Sequence, residues 1–582
     1  MTPGAEPARG RAAGALVLVL AMTLGAFATR LRGIDWLLPQ GHLDGSIVVH
    51  QIEQLRSGDP DLGGGRFRYY PLLLAWAVAV LPAPVEADPP PAADVEEHVA
   101  RCGAQWAQAR SVSAALSLLL VPLTWLLARR FLPGGWPLFA AGLVATSLLL
   151  AAFGTQVRPH GLAASAILAT VLGALRLRER GDVWAYLAVG VAGGAAVGAL
   201  HYGVFALPPV ALAFLLRRRA ASGAWVVVSA VLVGAIVVAC YPFHLVGRDG
   251  FLTLGEAETG TTFNLSGQEL HLGLFNGAGF RVVPTTLWSF DPLLLLLTLV
   301  GVACLGTRLL RGTPGGSDRG RRADVCIVLA HAVPYTVVIG LYQNTWERFV
   351  IQLLPYFALI ATFGVARVAK RLWHGRSAPA TALGLVLLVP PAAACWHLGT
   401  VRSAADTYDL AADWVRDEMP DEALLAAPVY VDLPLMHARE ELRTNRERRG
   451  LSSWVRYQLQ LPPDERARFP RYRYLLPTGR SHAMRERLIA EPLAYLREVE
   501  ADFVILQLEE GGDRAVLDSV RAAVAARGAP VWRTTSARVD DGRPAPMPVL
   551  RIAEEELARP FVRRLWQSER LGPALEIYRV PR

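Results

Sequence analysis

Ionisable side chains gather just after the first apolar block. Residues 30–59, RLRGIDWLLPQGHLDGSIVVHQIEQLRSGD, carry Asp35, His42, Asp44, His50 and Glu53. A carboxylate at a membrane surface is partly desolvated, and that suits it to accept a proton from a hydroxyl as a general base. Asp44 is the candidate. The stretch from Asp44 onward reads as a helix with Asp44 at its N-cap, which also supplies the plainer reading of a capping side chain on an interfacial helix. His42 and Asp44 lie two apart, and His50 and Glu53 three apart. Neither pair gives a clear ligand set, so no cofactor is expected, with a divalent cation as the open alternative.

The element that must position these groups is a membrane. Of 582 residues 53% are apolar, with a mean hydropathy of +0.31, and they come in long continuous blocks. A bilayer core takes roughly 20 apolar residues per helix, and continuous blocks favour helices over alternating barrel strands. The blocks are 13–29, 108–128, 136–153, 159–175, 183–200, 204–216, 223–243, 286–307, 325–342, 349–367 and 378–397. The first has the basic start of a secretory signal but reads as a retained helix. These blocks predict an α-helical polytopic membrane protein of about eleven spans. Residues 1–398 would be the transmembrane domain, and residues 30–107 and 244–285 its long outer loops. Within the first loop, YYPLLLAWAVAVLP is too short to span comfortably and would put Tyr69, Tyr70 and Trp76 at headgroup level.

The net charge of +9 is carried almost wholly by arginine, with Lys370 the one lysine. Basic clusters follow alternate blocks: Arg129-Arg130, RLRER, Arg217 to Arg219, RLLRG with DRGRR, and KRLWHGR. They fall on one side of the membrane, which the positive-inside rule makes cytoplasmic. Charge placed beside apolar blocks is membrane orientation rather than nucleic-acid binding, so no nucleic-acid partner is expected. Any anionic substrate would be gripped by arginine, whose planar fork matches phosphate. The five cysteines, Cys102, Cys240, Cys304, Cys326 and Cys395, are scattered without a CxxC pair, which argues against a disulfide framework.

From residue 399 to 582 the composition changes. TYDLAADWVRDEM and DRAVLDSVRAAVAARG have helical periodicity, while ALLAAPVYVDL, ADFVILQL, APVWRTTS and PALEIYRV read as short buried strands. Their alternation predicts a soluble α/β domain. With eleven spans and an inside N-terminus it would lie outside. It shows neither a glycine-rich phosphate loop nor a nucleophile elbow.

Several short segments carry a family resemblance. An acidic residue soon after the first span, then QIEQLRSGD, then Tyr70-Pro71-Leu72, resembles the dolichyl-phosphate-mannose protein mannosyltransferases and their bacterial relatives, including the aminoarabinose transferases that modify lipid A. These are C-type glycosyltransferases. Ala109-Arg110, VRPHGLAAS (157–165) and ERFVIQLLPY (347–356) extend the resemblance over most of residues 13–400. The family pattern has Asp-Glu where this chain has Asp44-Gly45.

The resemblance implies a glycosyltransferase in a bacterial inner membrane, with a cytoplasmic N-terminus and a periplasmic C-terminal domain. Its donor would be a sugar on a polyprenyl phosphate and its acceptor a hydroxyl of a glycan, lipid or protein. Asp44 would deprotonate the acceptor, whose oxygen attacks the anomeric carbon directly and inverts it. The leaving phosphate needs positive charge. Arg348 and Arg158, at the mouths of two blocks, are candidates, against plainer readings as a snorkelling arginine and a helix-flanking charge. The polar stretch 249–284 holds Glu256, Glu258, Glu269, His271 and Arg281. Read functionally, it closes over the substrates with Glu269 or His271 near the sugar, His42 and Tyr70 being weaker contacts; read plainly, it is a solvated connection.

Three other functions compete. A transporter would show internal repeats and charges deep in its spans, whereas ionisable residues here crowd one outer face. A binding protein would need only one anchor. A polysaccharide polymerase or ligase uses the same donors and layout and is the nearest rival.

Overall fold

Where no water reaches the backbone, the chain satisfies its N–H and C=O groups internally, and every apolar block falls on helix. The computed structural model describes residues 6–36, 38, 43–58, 60, 70–84, 95–217, 223–242, 252–257, 260–265, 268–310, 319–374, 377–420, 422–428, 431, 433–435, 471–474, 482–508, 514–536 and 560–582. In chain order the first helices are α1 (Glu6–Leu31), α2 (Leu43–Ser57), α3 (Leu73–Ala79), α4 (Val95–Leu118), α5 (Leu120–Phe131), α6 (Trp136–Ala145), α7 (Leu148–Gly154), α8 (His160–Glu179), α9 (Val183–Ala199), α10 (Leu207–Leu216) and α11 (Gly223–Cys240). Strands β1 (Leu252–Ala257), β2 (Gly260–Leu265) and β3 (Gln268–His271) follow, then α12 (Gly279–Phe290), α13 (Pro292–Leu310), α14 (Arg319–Leu341), α15 (Leu354–Leu372) and α16 (Ser377–Arg402). Among the described residues 7 helical stretches are long and apolar enough to cross a membrane, or 8 when the bent pair α6–α7 is one span. The shorter apolar helices 183–199, 201–216 and 292–307 occupy the remaining expected blocks. The chain is thus a multi-pass helical membrane protein.

Three expected blocks are interrupted, 108–128 at Leu119 between α4 and α5 without ending the span. Block 136–153 breaks at Thr146-Ser147, where α6 and α7 meet at 46°. Block 286–307 breaks at Asp291, between α12 and α13, because Pro292 brings no N–H and its ring clashes with the preceding turn. A second proline acts at the start of α15. Pro355 sits in its first turn, and Glu347–Leu353 tightens into a 3-10 helix. The second outer loop also departs from expectation: its glycine-rich stretch forms an antiparallel meander, β1-β2-β3.

At one end of the bundle, three of the basic clusters meet. Arg130 grips Glu179 with two bonds of 2.7 and 3.0 Å. Arg178 reaches Asp324 at 3.0 and 2.7 Å, and Arg321 donates to the Phe131 carbonyl at 2.8 Å. These contacts tie α5, α8 and α14 at the side the sequence marks as basic. Breaking a buried pair strands one charge, whereas replacing both partners by apolar groups does not. Arg178→Met should therefore lower stability by about 3 kcal/mol, and adding Asp324→Leu should recover most of the loss. Thermal unfolding in detergent measures both.

The C-terminal part holds α17 (Thr407–Glu418), β4 (Leu424–Ala427), β5 (Arg471–Tyr474), α18 (His482–Ala490), α19 (Pro492–Glu498), β6 (Phe503–Gln507), α20 (Arg514–Ala525), β7 (Trp532–Thr534), α21 (Phe561–Trp566) and β8 (Leu575–Arg579). Every strand and helix expected there is present. The sheet order is β5-β4-β6-β8-β7, with β4 parallel to β5 and β6, and β8 antiparallel to β6 and β7. On β8 the buried Glu576 accepts from Arg521 at 3.0 Å and from the Tyr578 hydroxyl at 2.8 Å. Burial, with that carboxylate beside it, pushes the Tyr578 phenol above its ordinary range.

This domain docks through α21. Phe561 stacks on Phe290 at 4.6 Å, its N–H donates to Ser289 Oγ at 2.8 Å, and Trp566 lies flat on His397 at 4.6 Å. Phe561 and Leu565 are fully buried among residues of the membrane bundle.

Candidate functional site

The opposite end of the bundle gathers the groups that matter. On α8, His160 and Arg178 stand at opposite ends, about 27 Å apart at 1.5 Å per residue. Helix α2 forms as its sequence predicts, beginning at Leu43, so Asp44 falls in the first turn rather than at the cap. It is held by Val48, Val49 and Ile52, packed with Tyr70, Trp106 and Val157. Gly45, next to Asp44, lies against the Trp106 indole. A Cβ built there would come 2.7 Å from Trp106 Cζ3, so the ring fills the space a side chain would need. The carboxylate that the family pattern carries after the aspartate has no room here.

Trp106 and Arg110 stand one helical turn apart on α4, on the same face. The Arg110 guanidinium lies 4.5 Å from the Trp36 ring centroid and 5.8 Å from that of Trp106. It donates to the carbonyls of Ile34 at 2.8 Å and Trp36 at 2.6 Å. The chain leaving α7 passes in front, fixed by Ser113 Oγ donating to the Gln156 carbonyl at 2.7 Å. A cleft results, lined by Trp36, Gly45, Trp106, Arg110, Gln156, Val157 and Arg158. Three of its walls hold buried polar atoms with no hydrogen-bond partner among the described residues: the indole nitrogens of Trp36 and Trp106, and Gln156 Oε1. Buried polar groups are ordinarily satisfied, so two donors and an acceptor beside arginine leave room for a water or a polar group of a ligand.

Arg348 joins from the 3-10 helix. Its guanidinium lies 5.0 Å from the Trp346 ring and 5.5 Å from that of Phe349. Phe349, next to Arg348 in the chain, stacks on His160 at 5.5 Å, and Arg158 stands two residues before that histidine. Arg158 is 2% exposed and Arg348 8%; a snorkelling arginine would extend its head to water.

His42 lies outside the described residues, as do the side chains of Asp44 and Glu269, whose backbones run in α2 and β3. His271 ends β3 opposite Thr262, and no wall of the cleft comes from β1–β3 among the described residues. Tyr70 is buried in the α2 cluster, its carbonyl accepting from Gln51 Nε2 at 2.8 Å. Trp76 alone of the expected headgroup aromatics is described and exposed. Sequence reasoning missed Trp36, Trp106, Gln156 and the fully buried Glu347. The Trp106–Arg110 spacing was the available signal.

Fold and site together define a class: a multi-pass helical membrane protein with a cationic, tryptophan-walled cleft at the ends of its spans and an appended α/β domain. No family model and no curated protein matches the sequence. Among solved structures the chain is similar to the oligosaccharyltransferase of Archaeoglobus fulgidus in its apo form, with a TM-score of 0.46, 13% identity, and coverage of 85% of this chain and 70% of that one. It is also similar to ArnT from Cupriavidus metallidurans in the apo state, with a TM-score of 0.44, 13% identity, and 92% and 97% coverage. For ArnT bound to undecaprenyl phosphate the TM-score is 0.42, the identity 14%, and the coverage 91% and 97%. Both are C-type glycosyltransferases, the class that the short motifs resemble. At these identities and TM-scores no residue's role passes from them to this chain.

Proposed function

We propose that the chain is a membrane glycosyltransferase that moves a sugar from a polyprenyl-phosphate donor to a hydroxyl acceptor at the outer face of a bacterial inner membrane. The observation that carries this reading is the cleft: the first turn of α2, which bears Asp44, and Arg158 contribute to its walls, and the 3-10 helix that carries Arg348 packs nearby through Phe349 on His160.

The chemistry follows from those positions. Asp44 takes the acceptor proton as its oxygen attacks the anomeric carbon, and the bond from that carbon to the phosphate oxygen breaks. The electron pair leaves with the lipid phosphate, whose growing charge falls to Arg158 and Arg348. Attack from the far side inverts the centre, so no covalent intermediate forms. The lipid tail explains why the cleft sits at the ends of spans, and the indole N–H groups with Gln156 supply partners for sugar hydroxyls. Positive charge comes from arginine, so the reading includes no cofactor. The meeting of basic clusters at the other end of the bundle supports a cytoplasmic N-terminus and an outer α/β domain.

The test is a panel of polyprenyl-phosphate sugars offered to the full-length protein in lipid. One donor class should bind and turn over, with the product inverted at the anomeric carbon by NMR. A retained configuration, or indifference to every lipid-phosphate sugar, overturns the proposal.

A further inference from the structure

The break between α6 and α7 exposes backbone groups that a continuous helix would have satisfied. In a membrane each such group costs several kcal/mol if left alone. Buried charges answer at three places. The Ala145 carbonyl, at the end of α6, accepts from Arg30 Nη1 and Nη2 at 3.3 and 3.2 Å. At the start of α7, Asp291 accepts from the Leu148 N–H at 2.8 Å, the Leu149 N–H at 3.3 Å and the Ser147 hydroxyl at 2.6 Å. At its end, Arg402 donates to the carbonyls of Ala151 at 3.3 Å and Ala152 at 3.2 Å, and to Thr155 Oγ1 at 3.0 Å. Arg30, Asp291 and Arg402 are all buried, and they come from α1, the α12–α13 turn and α16.

Such an arrangement is expensive. An unbroken apolar helix over 136–154 would need neither Arg30 nor Asp291 at its middle, and burying ions rarely adds net stability. A costly local structure that its surroundings over-determine points to a required geometry. What α7 delivers is the chain of Gln156, Val157 and Arg158, beginning two residues beyond its last turn. Arg402 also reaches the cleft wall, its guanidinium 5.0 Å from the Trp36 ring that Arg110 covers.

We propose that Asp291 and Arg402 are positioning residues: they clamp the half-helix α7 at its two ends, while Arg30 holds the end of α6, and thereby aim Arg158 at the phosphate of the lipid donor. The clamp rests on the reading of Arg158 as a phosphate ligand. It is also continuous with the docking surface of the α/β domain, because Asp291 directly follows Ser289 and Phe290, which receive Phe561.

The test measures affinity rather than turnover. Full-length protein in nanodiscs is titrated with undecaprenyl phosphate and with undecaprenol, for Asp291→Asn, Arg158→Ala and both together. Asp291→Asn should weaken undecaprenyl phosphate binding about tenfold, the scale of a charge-assisted hydrogen bond, and leave undecaprenol binding unchanged. The double variant should bind no more weakly than Arg158→Ala alone, since a residue acting through Arg158 has nothing to act on once it is gone. Losses that multiply in the double variant, or an equal loss for both lipids, show a general structural role and overturn the clamp. If Asp291→Asn fails to fold, Ser147→Ala and Thr155→Val each remove a clamp bond without removing a charge, and the same cycle applies. Should Arg158→Ala itself be silent, the phosphate-ligand reading fails and the clamp falls with it. An active Arg158→Ala beside a silent Asp291→Asn sinks the clamp alone.

Discussion

Asp44→Asn should cut sugar transfer about a thousandfold at saturating donor, within the span of general acid–base effects, with little change in thermal stability. The amide keeps the size and shape of the carboxylate but cannot take the acceptor's proton. The fold has little reason to notice. Asp44 lies in the first turn of α2, and that helix is held by Val48, Val49 and Ile52, each almost fully buried. Were Asp44 only a favourable charge at a helix start, the change would cost a few tenths of a kcal/mol and leave transfer intact. Turnover per folded molecule separates the two. A variant that transfers at the normal rate removes Asp44 from the chemistry.

The sequence made the membrane domain legible because its signal is local. A run of apolar residues is a helix in lipid whatever surrounds it, and α2 and the strands β4, β6, β7 and β8 likewise declare themselves by period and composition. The break in α6–α7 was invisible for the opposite reason. Residues 136–153 are apolar but for Thr146 and Ser147, too weak a signal alone to end a helix, and what stabilises the break is Asp291, 144 residues from Ser147 in the chain. The meander in the second loop was hidden by its glycines, which weaken any strand pattern.

The site was half legible. Asp44, Arg158 and Arg348 stand out as charges at the edges of apolar blocks, and the structure puts Arg158 in the cleft wall and stacks Phe349, next to Arg348, on His160. Nothing local says that Trp36, Trp106 and Gln156, drawn from three separate segments, wall the same cleft. Nor could sequence explain Asp44-Gly45. The absence of a second carboxylate reads as a loss until Trp106 is seen occupying its place. The tryptophan, in turn, helps to seat Arg110. Around the Asp44 backbone the described walls are aromatic and cationic, which suits a leaving group that is itself an anion.

Arg348→Ala should lower kcat/KM by about two to three powers of ten, the loss measured when a preorganised oxyanion donor is removed. The side chain is held by its own surroundings before substrate arrives. Trp346 and Phe349 lie within 5.0 and 5.5 Å of the guanidinium, and the 3-10 turn that Pro355 enforces fixes the backbone beneath it. Arg348→Lys should recover only part of the activity. A lysine keeps the charge but loses the planar fork that binds two phosphate oxygens at once and that lies on the rings. The alternative is an arginine that merely anchors the top of α15. An anchor would be served nearly as well by lysine, and its removal would lower the yield of folded protein as much as the activity. Activity per folded molecule, compared across Arg, Lys and Ala at this position, therefore decides between them. A graded loss at constant yield places Arg348 on the departing phosphate, whereas parallel loss of yield and activity reduces it to an anchor.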